Sequence, residues 1–236
     1  PAAQPTPALA QARRPTNAAS SPVLQVAPGT SPPMAAPRMF PVYDGRVTLN
    51  LAETPVIGAP TNQYVAVSLF DYTCHHCRLM HPLLAEAQRT WSNHLAIVSL
   101  PMPLDPGCNP TVLRAHPLHI NACEYARLGL TVWRAARAKH REFDDWLFSG
   151  DKPPPLPVAQ AYAAQLVGTN AFVQARQDPW IEQQLKLDVA IYELAYRAGQ
   201  GQMPQLILGR SVALGTYSRE DLMKLLVEHL GLKAGP

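Results

Sequence analysis

Residues 64–91 read YVAVSLF DYT CHHC RLMHPLLAEAQRTW. The first seven, Tyr64 to Phe70, are apolar throughout apart from Ser68, as a strand covered on both faces should be. Arg78 to Trp91 carries a helical pattern, with Pro82 inside it and a kink therefore expected. Between strand and helix stand Cys74, His75, His76 and Cys77. Two cysteines spaced C-x-x-C at the start of a helix, after a buried strand, point to a dithiol redox site. The reason is electrostatic. A helix N-terminus offers unpaired N–H groups and partial positive charge, both of which stabilise a thiolate, and only the thiolate attacks a disulfide.

Outward from this stretch, residues 95–100 form a second buried strand and residues 47–51 a short one. Residues 55–60 are read as a loop held by two prolines. From about His119 to Ala198 the pattern turns helical, with helices over 121–139, 142–148, 158–167, 170–177 and 179–198. The last has a stripe through Ile181, Leu185, Ala190 and Leu194. Strands return at 205–208 and 211–214 around a Gly209-Arg210 turn. Ser218, with Asp221 three residues on, can cap a final helix through Leu230. The expected fold is α/β: one domain over 42–236, with an all-helical insertion at about 117–199. Residues 1–41 hold ten of the 25 prolines and only three charges, Arg13, Arg14 and Arg38. Such a segment cannot bury enough surface to offset its ordering entropy, and it reads as an extended, disordered tether. The chain opens at Pro1 and is expected to continue upstream, where a lipid or membrane anchor would suit a tether.

Composition excludes several function classes. The 236 residues are 47% hydrophobic, enough for a packed core, with a formal net charge of only +3. No dense Lys/Arg stripe is present, so nucleic acid is not an expected partner. No run of roughly eighteen apolar residues occurs, so no membrane-spanning helix is expected. The four cysteines, Cys74, Cys77, Cys108 and Cys123, form an even set that permits two disulfides and suits an oxidising compartment.

With Cys74–Cys77 placed, residues 42–232 resemble the thioredoxin-fold superfamily, and within it the DsbA-like disulfide oxidoreductases. The run Phe70-Asp71-Tyr72-Thr73-Cys74 is similar to the approach to their active site. Pro82 falls where the active-site helix carries its kinking proline. Met203-Pro204 matches the cis-proline loop, Gly209 and Gly215 fit the following hairpin, and the helical block matches the insertion of this branch. The resemblance implies a thioredoxin fold, with a mixed central sheet flanked by helices, and the activity of a protein disulfide oxidoreductase. Cys74 would be the exposed nucleophile and Cys77 the buried resolving thiol. Pro204 would be cis, shielding the disulfide from metal and letting the Met203 backbone pair with a substrate strand. His76, before Cys77, would hold a positive imidazole near Cys74, and His75 would add to that field. DsbA holds its nucleophile at ~3.5, against ~7 for thioredoxin, and a stable thiolate makes an oxidising disulfide. Oxidation of substrate thiols is therefore the expected direction, with reductase or isomerase activity as the alternative. Ser68 departs from the pattern. It stands where relatives bury an acid that takes the resolving thiol's proton, and Asp71 is expected to point elsewhere. The resemblance implies substrate proteins bearing thiols or disulfides, a recycling redox partner, a monomer, an extracytoplasmic (periplasmic or cell-envelope) location, and no cofactor or metal.

Cys108 and Cys123 have two readings. The pattern Cys108-Asn109…His119-x-x-x-Cys123 is similar to a subset of thioredoxin-like proteins, some fused to vitamin K epoxide reductase-like membrane domains. As a structural disulfide the pair would tie a loop to the insertion, worth about 3 kcal/mol in the entropic picture. As a redox pair it would relay electrons to Cys74–Cys77. Zinc is the rival for the opening motif, with Cys74, His75, Cys77 and His81 as soft ligands, but a second closely spaced pair is missing. A metal-binding or chaperone-like domain using the same dithiol is the remaining alternative.

Overall fold

A computed structural model describes residues 37–233. Its strands and helices are β1 (Met39–Val42), β2 (Val47–Asn50), β3 (Val56–Ile57), β4 (Tyr64–Phe70), α1 (His75–Thr90), β5 (Leu95–Pro101), α2 (Ala122–Ala135), α3 (His140–Leu147), α4 (Leu156–Val167), α5 (Thr169–Arg176), α6 (Trp180–Arg197), β6 (Gln205–Leu208), β7 (Ser211–Leu214) and α7 (Arg219–Leu230). Five strands form a mixed sheet in the order β3-β5-β4-β6-β7. The central pair, β4 and β5, is parallel, with Ser68 opposite Ser99. Parallel neighbours need a crossover, and α1 supplies it. Strand β6 runs antiparallel to β4 and to β7.

The near-continuous apolar runs of β4 and β5 are explained by cover on both faces. Val65, Val67, Leu69, Val98 and Leu100 belong to one core with side chains of the inserted helices, Leu128, Phe143 and Ile191 among them. Ala66 and Ile97 belong to the other, with Met80 and Ala87 of α1 and Leu222 and Leu226 of α7. Ser218 caps α7, its Oγ accepting from the Asp221 N–H at 3.1 Å.

The structure corrects four expectations. The tether boundary at 41 cuts through β1, which pairs with β2 from Met39–Asn50 to Val42–Val47. Arg38 is tied down as well, donating to the carbonyls of Pro60, at 2.8 Å, and Asn62. Residues 1–36 of that tether lie outside the described residues. The supposed loop at 55–60 contains β3, whose Val56 and Ile57 pair with Val98 and Ile97; two residues are too few for a periodic signal. The helix expected over 121–139 stops at Ala135, because Ala136 turns extended (φ −158°, ψ 87°) and a 3-10 turn leads into α3. That break lets His140 pack edge-on against Trp133, at 5.5 Å between centroids, so tertiary packing overrides local propensity. On α6 the buried stripe passes through Ile181, Leu185, Val189 and Tyr192, while Ala190 is exposed.

Candidate active site at the first turn of α1

Cys74 is the N-cap of α1, with extended backbone (φ −78°, ψ 124°), and Cys77 lies in the first turn. Both are free thiols. The first turn carries no acidic residue, so nothing on the helix opposes a negative charge there. The two thiols diverge in acidity. Cys74 is lowered from 9.0 to about 7, chiefly because the Cys77 side chain hydrogen-bonds to it, with help from the backbone N–H groups of Cys77 and His76; burial and the Asp71 charge work against this. Cys77 is pushed well up, first by burial and then by the adjacent Cys74. Its sulfur accepts the Asp71 N–H at 3.4 Å.

Two expectations change here, and a third, that Asp71 points elsewhere, is met. Cys74 is not exposed: only 6% of it is accessible, against 2% for Cys77. The groups that lower Cys74 are the Cys77 side chain and the backbone N–H groups of Cys77 and His76, with no imidazole among them. His75 and His76 are both exposed, with ring centroids 5.8 Å apart. Asp71 belongs to the site although its carboxylate is turned to the loop. Its Oδ1 accepts from the Thr73 N–H and Oγ, both at 2.6 Å, and its Oδ2 from the Leu104 N–H at 2.7 Å. Burial raises its own pKa, and its charge raises the pKa of both thiols.

The approach to Cys74 is held from below. Tyr72 is fully buried, and its hydroxyl donates to Asp144 of α3. Arg78, also buried, donates to the carbonyls of Tyr72 at 2.6 Å and Leu147 at 2.7 Å, with its guanidinium 5.2 Å from the Phe148 ring centroid. The loop before α2 closes one flank. Cys108 and Cys123 are joined by a disulfide with Cα atoms 6.0 Å apart. Within the span it closes, His119 Nδ1 stands 2.8 Å from Thr73 Oγ and 3.6 Å from Asp71 Oδ2. The Met203-Pro204 bond is cis. Pro204 joins Cys77, Ser68, Ser99, His81 and Phe148 in lining a cavity of about 30 Å³. Among the described residues, no group of three or more His, Cys, Asp or Glu side chains is arranged to hold a metal ion.

Arg78 and Asp144 carry no sequence signal as site residues, and Tyr72 only its place in the run that approaches Cys74. Arg78 and Tyr72 flank the motif but look like ordinary helix and loop positions, and Asp144 comes from an insertion helix far along the chain. His81, read as one of several zinc donors, is instead fixed by Asp145, with Nε2 2.7 Å from Oδ1, and stacks on Phe148 at 4.4 Å.

No family model and no curated protein matches the sequence. Solved structures do match. The thiol-disulfide exchange protein alpha-DsbA2 of Wolbachia pipientis is 20% identical with a TM-score of 0.59, over 74% of this chain and 86% of that one. The catalytic domain of Proteus mirabilis ScsC is 18% identical with a TM-score of 0.57, over 76% and 90%. A periplasmic thioredoxin-like protein from Salmonella enterica serovar Typhimurium is 18% identical with a TM-score of 0.54, over 76% and 91%. The protein has a thioredoxin fold, the fold of these structures.

Proposed function

We propose that the protein is a thiol–disulfide oxidoreductase that exchanges disulfides with substrate proteins through a mixed disulfide at Cys74. The carrying observation is the divergence of two thiols in one helix turn: Cys74 ionises at about 7, while burial keeps Cys77 protonated. In the oxidising direction a substrate thiolate attacks Cys74 Sγ of the Cys74–Cys77 disulfide. Cys77 leaves with the electron pair and takes up a proton. A second substrate thiolate then attacks the substrate sulfur of the mixed disulfide, and Cys74 leaves as a thiolate. The substrate has been oxidised by two electrons, which a redox partner must remove before the next cycle. In this reading Pro204, which lines a cavity with Cys77, and the Met203 backbone receive the substrate strand, and His75 and His76, both exposed, meet the substrate.

Net oxidation remains our reading, at a milder potential than a thiol as acidic as DsbA's would give. A thiolate that leaves at about 7 favours the reduced form less than one at ~3.5. The Cys108–Cys123 disulfide suits an extracytoplasmic compartment, as does the likeness in fold to a periplasmic thioredoxin-like protein. No described helix is long and apolar enough to cross a membrane.

Redox titration against glutathione tests the proposal. The expected potential lies between about −270 mV and about −120 mV, the thioredoxin and DsbA values. Its pH dependence should halve above about 7, where Cys74 stays ionised and reduction takes up one proton instead of two. A potential at or below thioredoxin's would make the protein a reductase. In a separate measurement, iodoacetamide alkylation of Cys74 should titrate with a midpoint near 7. A midpoint at the free-cysteine value of about 8.5 would remove the basis for exchange chemistry.

A further inference from the structure

Resolution of a mixed disulfide at Cys74 needs Cys77 as a thiolate, yet Cys77 is the least accessible and most strongly raised thiol of the site. Its proton must reach a base. The cavity beside it, about 30 Å³, has room for one or two waters and offers them Cys77, Ser68, Ser99 and His81 as polar partners. The serines cannot act as bases at neutral pH. Asp71 has its oxygens filled by Thr73 and Leu104. Asp144 accepts from Tyr72 and from Ser99, the latter at 3.3 Å, and does not line the cavity. His81 is the one ionisable side chain besides Cys77 that does.

His81 sits one turn after Cys77 on α1 and, with Ala85 and Phe148, borders two spaces. It lines the inner cavity with Cys77, and with Asp145, Arg89 and Ser149 it lines an outer groove of about 350 Å³. Its Nε2 is engaged by Asp145, which leaves Nδ1 as the nitrogen able to accept a proton. Stacking on Phe148 fixes the ring. The His81 hydrogen bond is the first cause lowering Asp145, which is half exposed and stays ionised as the orienting partner. The other charged groups near the pair are Arg141, 3.7 Å from Asp145, then Arg89 on α1, His140 and Asp144 on α3, and Arg78 over Phe148.

We infer that His81, held by Asp145, is the proton acceptor and donor for Cys77, passing the proton between the buried cavity and the solvent groove. The inference rests on the thiol–disulfide reading above. In resolution, the Cys77 proton moves through cavity water to His81. The Cys77 thiolate then attacks Cys74 Sγ, the Cys74–Cys77 bond forms, and the substrate sulfur leaves as a thiolate. In the oxidising direction the same path returns a proton to Cys77.

The test is rapid-mixing release of glutathione from a Cys74–glutathione mixed disulfide, followed across about pH 6 to 8, the range where histidine changes charge. His81→Gln keeps a hydrogen bond to Asp145 but cannot carry the proton. It should slow release by about 100-fold, the scale of general base catalysis, and flatten the pH profile, with the Cys74 alkylation midpoint unchanged. Added imidazole should restore part of the rate in His81→Ala, which a purely structural role would not allow. Asp145→Asn, at an exposed position, should slow release severalfold and keeps the test open if the His81 variants do not fold. Wild-type rate and pH profile in His81→Gln, or in Asp145→Asn where that variant alone folds, would overturn the inference. So would loss of the profile in Asp144→Asn with none in His81→Gln, since the proton would then leave through Ser99. Failure of the wild type to form any mixed disulfide would strike the underlying exchange reading instead.

Discussion

A Cys77→Ser variant should accumulate a covalent complex between Cys74 and its substrate, visible on a non-reducing gel and released by dithiothreitol. Cys74 keeps the backbone N–H donors of residues 76 and 77, and the serine hydroxyl can still donate to it, so the first attack survives. The second does not, because nothing else can displace the substrate sulfur from within. Multiple-turnover exchange should fall by about 10³-fold or more, the scale on which loss of one member of a reacting set is felt. Cys74→Ser should give no complex at all, since Cys77 is raised and only 2% accessible. Adducts on Cys77 in the Cys74→Ser background would reverse the two roles.

The elements read most clearly in the sequence are those whose signal is local. The Tyr64–Phe70 run, the motif, the helix with Pro82, and the Met203-Pro204 turn before a strand carry their pattern within a dozen residues, and Pro204 lines one cavity with Cys77. What stayed hidden is contributed across the chain. Val56 and Ile57 become a strand only because β5 offers an edge. His81 looks like any helix residue until α3 brings Asp145 to it. The accessibility of Cys74 could not be read either. Position at a helix start predicts exposure, but Cys74 joins the same core as Phe70, Tyr72 and Phe148. His76 shows the converse: next to Cys77 in sequence, it is exposed while Cys77 is buried.

Gly129→Ala should be among the most damaging single-methyl changes in the protein. Gly129 lies in the middle of α2, where glycine normally costs stability relative to alanine. Here an added Cβ would overlap the Tyr72 hydroxyl and stand 3.0 Å from its Cζ. Tyr72 has no slack: it is 1% exposed, with its ring edge-on to Phe70 and tilted on Phe148, and its hydroxyl donates to Asp144. Moving it adds overpacking, about 1–3 kcal/mol, to the loss of a buried hydrogen bond to a carboxylate, about 1.5–3 kcal/mol. A total of about 2.5–6 kcal/mol lowers Tm by roughly 5–24 °C in a domain of this size. The effect should reach the dithiol, because the Tyr72 carbonyl holds Arg78 one residue beyond Cys77. Adding Tyr72→Phe removes the overlapping oxygen, so the double variant should be more stable than the two single losses summed. Strict additivity would mean that Gly129 and Tyr72 do not meet. An unchanged Tm in Gly129→Ala would mean that the wedge of Tyr72 between α2 and α3 is not what seats the approach to Cys74.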